Sequence, residues 1–373
     1  MSLKDSIRDK ALELGFEDVG FTGVEPLERY IEEIESRPPD MYGWVQTERF
    51  NTLRGARPGV KHDWARSMVV LIRNYHRRAF PPQMLGVIGR CYQVDERKEH
   101  GVEHRRLVEF IQFIKARGLR AWFDGEIPAR MSAARAGIVT YGKNCFVYAR
   151  NSMRGASWLE SIPLLLDVEL APDEPSIELG CPQWCKNACI AACPTGALYA
   201  PQKMNPLRCI AYHSYYTSGI TPLEFREPMG CWVYGCDRCQ EVCPRNQTWL
   251  NQKLPENESL TRRAPDFDLR ALLSMDERHY VERVWPLAFY ISRKNAAKWQ
   301  MNAARALGNL GDADNAPLLA RTLVESPHEM VRGMCAWSLG RLGGARARAA
   351  LEGRLPREQG WVRAEIEQAL ETI

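Results

Sequence analysis

Nine of the chain's twelve cysteines fall within the 66 residues from Cys181 to Asn246, and no other feature so narrows what the chain can become. The stretch reads CPQWCKNACIAACPTGAL, then RCIAYHSYY, then MGCWVYGCDRCQEVCPRN. Both halves close on Cys-Pro, at Cys193-Pro194 and Cys243-Pro244. Thiolates delivered in short steps and closed by Cys-Pro are how a chain wraps iron–sulfur cubes, and in two-cluster proteins the last Cys of each run ligates the other cluster. That rule assigns Cys181, Cys185, Cys189 and the distant Cys243 to one [4Fe–4S] cluster. Cys193, Cys209, Cys236 and Cys239 would hold the second, with Cys231 left over as the rival to Cys209.

Every step in the first run skips three residues, where the common bacterial run mostly skips two. Four-residue spacing also describes one face of a helix. A straight helix would spread these four sulfurs over about 18 Å, too far for one cube. Pro182 and Pro194 oppose an unbroken helix as well. Zinc held by four thiolates is one other reading. A disulfide framework is another, but it suits small secreted domains rather than 373 residues.

A chain this long should hold two or three domains. With 45% hydrophobic and 26% charged residues it has the composition of a globular protein. It contains no apolar run of about 18 residues, so no membrane span is expected. The opening MSLKDSIRDKALELG places Leu3, Ile7, Ala11 and Leu14 on one helical side with Gly15 just past the end. It resembles neither a secretory nor a twin-arginine signal. Thiols kept reduced for iron then point to the cytoplasm. Net charge is only +4, yet residues 61–120 carry 13 Lys and Arg against 6 Asp and Glu. Such an excess suits RNA, the phosphates of a cofactor, or simply a solvated face.

Ahead of the cysteines the chain reads as mixed α/β. Ser67 to Tyr75 (SMVVLIRNY) predicts a strand. Glu103 to Arg117 predicts a helix closed by Gly118. Leu119 to Phe123 predicts a strand that delivers Asp124 at its end. Pro128 to Ala136 predicts a helix, and Ser157 to Leu170 supplies a further strand. No glycine fingerprint of an ordinary nucleotide site is present. The small residues Ala133, Ala134, Ala136 and Gly137 would let the backbone approach a large flat ligand. Taken alone, Asp124 is a turn or N-cap aspartate, and Cys145 a buried, inert thiol. Beyond residue 266, NAARALGNLGD, VRGMCAWSLGRLGG and VRAEIEQALE are related, with Leu307-Gly308 and Leu339-Gly340 standing 32 apart. That period predicts a small α-solenoid, a surface for a partner or else a cap on the cysteine segment.

Together these residues resemble the epoxyqueuosine reductases, cobalamin-dependent iron–sulfur enzymes of tRNA queuosine synthesis, and more distantly the reductive dehalogenases. The resemblance runs over most of the chain. It is carried by Asp124 followed by Arg135-Ala136-Gly137 and Gly142-Lys143-Asn144, by GASWLESIPL, CxxxCPTGAL, RCIAY and GCDRCQEVCPRN, and by RKNAAKWQMNAARALGN. It implies an α+β protein: a nitroreductase-like cobalamin-binding domain over 1–170, a ferredoxin-like two-cluster domain over 171–250, and a HEAT-like helical repeat domain over 251–373. Arg135, Gly137, Gly142, Lys143 and Asn144 would bind the cofactor. The family's YAxGxDYH segment corresponds to RCYQVDER, which adds Tyr92 and Asp95, with Glu96-Arg97 in place of the family's Tyr-His.

The implied reaction reduces epoxyqueuosine to queuosine in the tRNA anticodon stem-loop. An external low-potential donor would supply electrons through the two clusters to cobalt. Asp124 matches the general acid, and a carboxyl in a partly apolar pocket can stay protonated near neutral pH. Nothing in the sequence demands more than a monomer. Two other readings stand beside this one. One is a related reductase of a small molecule, for instance a dehalogenase. The other is an electron-transfer protein that docks a partner through its repeats and turns over no substrate.

Overall fold

The run SMVVLIRN leaves neither face wet, because all eight residues of strand β2 (Ser67–Asn74) are buried. In this computed structural model, which describes residues 2–47, 51–93, 101–288 and 290–373, β2 is a central strand. It pairs antiparallel with β1 (Asp18–Thr22) on one side and β6 (Leu159–Leu166) on the other. The short β3 (Ala121–Phe123) closes the order β1-β2-β6-β3. Each fully buried Val, Leu or Ile of such a strand contributes roughly 1.5–3 kcal/mol.

Helices Leu3–Glu13 and Val102–Lys115 cover one face, packing Ile7, Ala11, Phe110 and Ile114 against Val69, Leu71 and Leu164. Ser2 caps the first helix in a reciprocal box with Asp5, and Gly15 leaves it at φ 88°. On the opposite face Met68 and Leu165 pack with Ile127. Helix Ala129–Arg135 lies against β1 so closely that a Cβ on Gly20 would stand 2.9 Å from Ala136 Cβ. β3 pairs only as far as Phe123, so the chain leaves the sheet at Asp124.

The chain forms two compact units. The first comprises residues 1–77, 98–206 and 238–254; the second comprises 78–97, 207–237 and 255–373. The cysteine segment therefore contributes to both. Besides the four-stranded sheet, the first unit carries the hairpin β4 (Val139–Tyr141) and β5 (Val147–Ala149), and the small pair β7 (Leu198–Ala200) and β8 (Lys203–Met204).

The second unit is built on helices Ala296–Leu310, Ala316–Glu325, Glu329–Leu342, Gly344–Arg354 and Gly360–Glu371. The repeated Leu-Gly has a packing reason. A Cβ at Gly308 would meet Ser338 at 2.7 Å, and one at Gly340 would meet Ala369 at 2.9 Å, so each glycine marks the crossing of one repeat on the next. The first of these helices also holds the 207–237 segment. Asn302 donates to the carbonyls of Ser214 and Val233, and the fully buried Arg305 to those of Gly230 and Trp232. These bonds are what the cap reading requires. Among the described residues no helix is long and apolar enough to cross a membrane.

Part of the basic excess in 61–120 meets acidic partners within the fold. Lys61 pairs with Asp124 and Glu126, Arg73 with Glu160, Arg77 with Glu17, Arg90 with Asp237 and Arg106 with Glu103.

Candidate functional site

The first cysteine run is not a helix. Asn187 turns left-handed at φ 61°, and only Ala188–Ala191 is helical. The breaks bring together thiols that the x3 spacing would have strung out. Burial pushes the Cys189 thiol up to about 11, and Cys181, Cys243 and Cys185 add to the push. Cys181 is raised likewise, by burial first and then by Cys243 and Cys185, against a hydrogen bond from the Lys143 backbone. Thiols crowded in this way make a donor set that a polycation relieves, releasing protons as it binds. They are the quartet expected for one cluster, Cys243 included. A cube spreads its thiolates over four irons, and no three Cys, His, Asp or Glu side chains among the described residues converge on a single ion.

Of the other expected ligands, Cys193 and Cys239 lie in the first unit and Cys209 and Cys236 in the second, together with Cys231. Cys209 is the N-cap of helix Ile210–Tyr215. Cys236 packs on a small core of Ile210, Phe225, Met229 and Trp232. Cys231 instead lies against the core of the helical repeats, where burial raises its thiol and Arg305 draws it down.

The Gly142-Lys143-Asn144 turn brackets the cluster cysteines. The Lys143 backbone N–H donates to Cys181 Sγ at 3.3 Å, and its Nζ to the Cys185 carbonyl at 2.8 Å. Asn144 Nδ2 donates to the Cys239 carbonyl at 3.2 Å and to the Tyr148 hydroxyl at 2.9 Å. Gly142 is needed because a Cβ there would stand 2.7 Å from Asn144 Oδ1 and strike the Tyr148 ring. Cys145, raised by burial, follows at φ 63°.

Arg135 and Gly137 serve the chain's own packing. Arg135 clamps the 22–26 loop through Thr22 Oγ1, the carbonyls of Gly23 and Glu25, and the Glu25 carboxylate. Gly137, at φ 74°, leaves room for the Glu174 carbonyl. Ala133, Ala134 and Ala136 are fully buried. The close approach expected toward a flat ligand is thus, in these contacts, an approach of the backbone to itself. Tyr92 donates to the Tyr215 hydroxyl at 3.1 Å and packs edge-on against Tyr234. Asp95 lies outside the described residues.

Asp124 sits where β3 ends, its side chain only 9% exposed. Its Oδ2 accepts from Lys61 Nζ at 2.6 Å and His62 Nε2 at 2.8 Å, and its Oδ1 from the Glu126 N–H at 3.0 Å. Burial pushes this carboxyl up, but the bonds from His62, Lys61 and Glu126 outweigh it, and the group stays below the ordinary aspartate range. The structure thus gives the Asp124 carboxylate three hydrogen-bond donors, one of them the Lys61 ammonium, rather than an apolar wall that would keep it protonated. Glu126 shares Lys61 and pairs with Arg54; led by the Arg54 bonds, its carboxyl falls to about 2. Sequence reasoning missed Lys61, His62, Glu126 and Tyr148. Only Glu126, two residues from Asp124, carried a local signal.

The comparisons with known proteins agree with this geometry. Residues 181–246 match the 4Fe-4S double cluster binding domain, and residues 289–371 match HEAT repeats. Epoxyqueuosine reductase of Vibrio cholerae is 30% identical over 82% of this chain and 83% of its own length. That of Bacillus subtilis is 33% identical over 67% of this chain; the chain spans about three fifths, 62%, of that relative. A solved structure of epoxyqueuosine reductase from Bacillus subtilis superposes over 100% of this chain and 99% of its own, with a TM-score of 0.83 at 26% identity. One of an epoxyqueuosine reductase with an epoxyqueuosine-modified tRNA stem loop superposes over 99% and 98%, with a TM-score of 0.82 at 26% identity. With its double-cluster segment, its repeats and its whole-chain fold shared in this way, the chain belongs to the epoxyqueuosine reductase family.

Proposed function

We propose that the protein reduces epoxyqueuosine to queuosine in the tRNA anticodon stem-loop, with two [4Fe–4S] clusters loaded by an external low-potential donor. The observation that carries the reading is the whole-chain superposition on a relative that holds an epoxyqueuosine-modified stem loop. The cysteine ligands are those assigned above: Cys181, Cys185, Cys189 and Cys243 for one cluster, and Cys193, Cys209, Cys236 and Cys239 for the other.

Removing an epoxide oxygen to leave an alkene takes two electrons and two protons and releases water. Two one-electron clusters match the electron count. The departing oxygen needs a proton because it leaves poorly as an alkoxide. Asp124 is the donor in this proposal, and since it rests as a carboxylate it must be protonated first. His62 Nε2 and Lys61 Nζ, both on Oδ2, are the neighbours through which a proton reaches it.

Cobalamin belongs to the same proposal and would supply, when bound, the strong two-electron nucleophile that opens the ring. Arg135 and Gly137 do not fit as its direct ligands, since their groups are committed within the fold. Lys143 and Asn144 are committed to the cysteine segment. No proton step above depends on the corrinoid.

The test is anaerobic turnover of an epoxyqueuosine-containing tRNA stem loop by protein reconstituted with iron, sulfide and hydroxocobalamin. Mass spectrometry of the digested RNA should show the loss of one oxygen from the modified nucleoside. Clusters that oxidise and reduce normally, with the nucleoside unchanged, would reject the reading.

A further inference from the structure

Tyr148 is a buried phenol whose hydroxyl has no packing reason to exist. The ring lies on β5, paired opposite Thr140 and 1% exposed, and phenylalanine would fill the same space. A hydroxyl buried without a partner costs about 1–3 kcal/mol, so the partner explains the residue. Its partners are Cys243 Sγ, to which it donates at 3.1 Å, the Asn144 amide and the Ser157 side chain.

Asn144 Nδ2 donates to the phenol oxygen at 2.9 Å, and the phenol in turn donates to the sulfur. Asn144 is itself anchored by its bond to the Cys239 carbonyl. The Arg245 guanidinium lies 4.5 Å over the phenol ring and bonds the Gly180 carbonyl, one residue before Cys181. The bare Cα of Gly142 leaves the ring its place.

We propose that Tyr148 tunes the reduction potential of the cluster held by Cys181, Cys185, Cys189 and Cys243, through the hydrogen bond it donates to Cys243 Sγ. A reduced cluster carries one more negative charge than an oxidised one. A donor on a ligand sulfur therefore stabilises the reduced form more and moves the potential positive. The Lys143 backbone N–H on Cys181 acts in the same sense, and any substitution there other than proline leaves it in place. The inference rests on the cluster ligands alone and is independent of which substrate the electrons reach.

The experiment is an EPR-monitored redox titration of iron-reconstituted Tyr148→Phe beside the unaltered protein, with no substrate present. The expected result is about eight irons per chain in both, one cluster displaced to a more negative potential and the other unmoved. A difluorotyrosine at position 148, the same shape with a more acidic hydroxyl, should move that same cluster the other way. Unmoved potentials, or equal displacement of both clusters, would overturn the proposal. Should Tyr148→Phe lose iron, the difluorotyrosine protein decides alone: a positive shift of one cluster supports the assignment and no shift overturns it.

Discussion

His62 Nε2 lies 2.8 Å from Asp124 Oδ2, on the oxygen that also receives Lys61 Nζ. The residue matched to the family's acid is thus a clamped carboxylate. His62 is tied to the rest of the fold by its edge-on contact with Trp64, which packs on Ala65, Met68, Ile127 and Leu165 and carries the Arg120 guanidinium at 3.7 Å. Replacing His62 by Leu removes one donor to the charged form, so the Asp124 carboxyl should titrate at higher pH than in the unaltered protein. Carboxyl carbon NMR across an acid titration reads this directly. Turnover should fall roughly ten- to a hundred-fold if protons reach Asp124 through this bond. An unmoved Asp124 titration would show that Lys61 and the Glu126 N–H hold it without His62.

Asp124→Asn tests the acid itself. The amide preserves the shape but carries no proton to give, and loss of a general acid typically costs 10²–10⁴-fold, so turnover should drop by about that factor. Iron content should not change, since no cluster cysteine bonds Asp124 in the contacts seen. Parallel iron assays and single-turnover kinetics separate the two effects. Full activity in Asp124→Asn would remove it from the mechanism.

Glu126 gives the site a stability signature in acid. Its folded-state value, near 2, lies below its ordinary value, because Arg54 and Lys61 favour the carboxylate. A depressed carboxyl contributes stability that is complete above its unfolded pKa and is lost as pH falls toward the folded one. The window here is about pH 4.5 down to about 2. Glu126→Gln should lower stability at pH 7 by about 2 kcal/mol, a figure discounted for the half-exposed Arg54 partner. The gap to the unaltered protein should close as pH drops through that window. Urea unfolding at pH 7, 4 and 3 measures it, and a gap constant with pH would mean that the loss is packing alone.

What was legible in the chain follows the range of the forces that set it. The cysteine pattern could be read because ligand spacing is local, and the Ser67–Asn74 strand because an unbroken apolar run has few other uses. β1 was not found: DVGFT has a glycine at its centre, which weakens a strand signal and is justified only by the nearness of Ala136. The Gly-Lys-Asn turn was recognised as a motif, but its grip on Cys181 and Cys185 crosses about forty residues that no local pattern spans. Lys61 and His62 were silent for the same reason, since their partner lies some sixty residues on. The basic excess around them could not be apportioned, because charge counted along a chain does not say which charges meet a partner.

Cys209 and Cys231 compete for one ligand place, and their packing separates them. Ile210, next to Cys209, and Trp232, next to Cys231, share a small core on which Cys236 packs, so what separates the two cysteines is where the Cys231 side chain itself lies. Cys231 turns instead toward the helical repeats, beside the buried Arg305. A ligand must stand with its fellow ligands, so Cys209 is the one grouped with Cys236. Cys209→Ser should therefore lose about four of about eight irons, the content of one cube. Cys231→Ser should keep all of them and cost no more than about 1 kcal/mol, as a near-isosteric change at a half-buried thiol does. Iron and sulfide assays after anaerobic reconstitution distinguish the two, with EPR of the reduced protein reporting which cluster remains. If Cys231→Ser loses the iron and Cys209→Ser does not, the ligand is Cys231, and the Arg305 charge then belongs to the cluster's surroundings rather than to the cap.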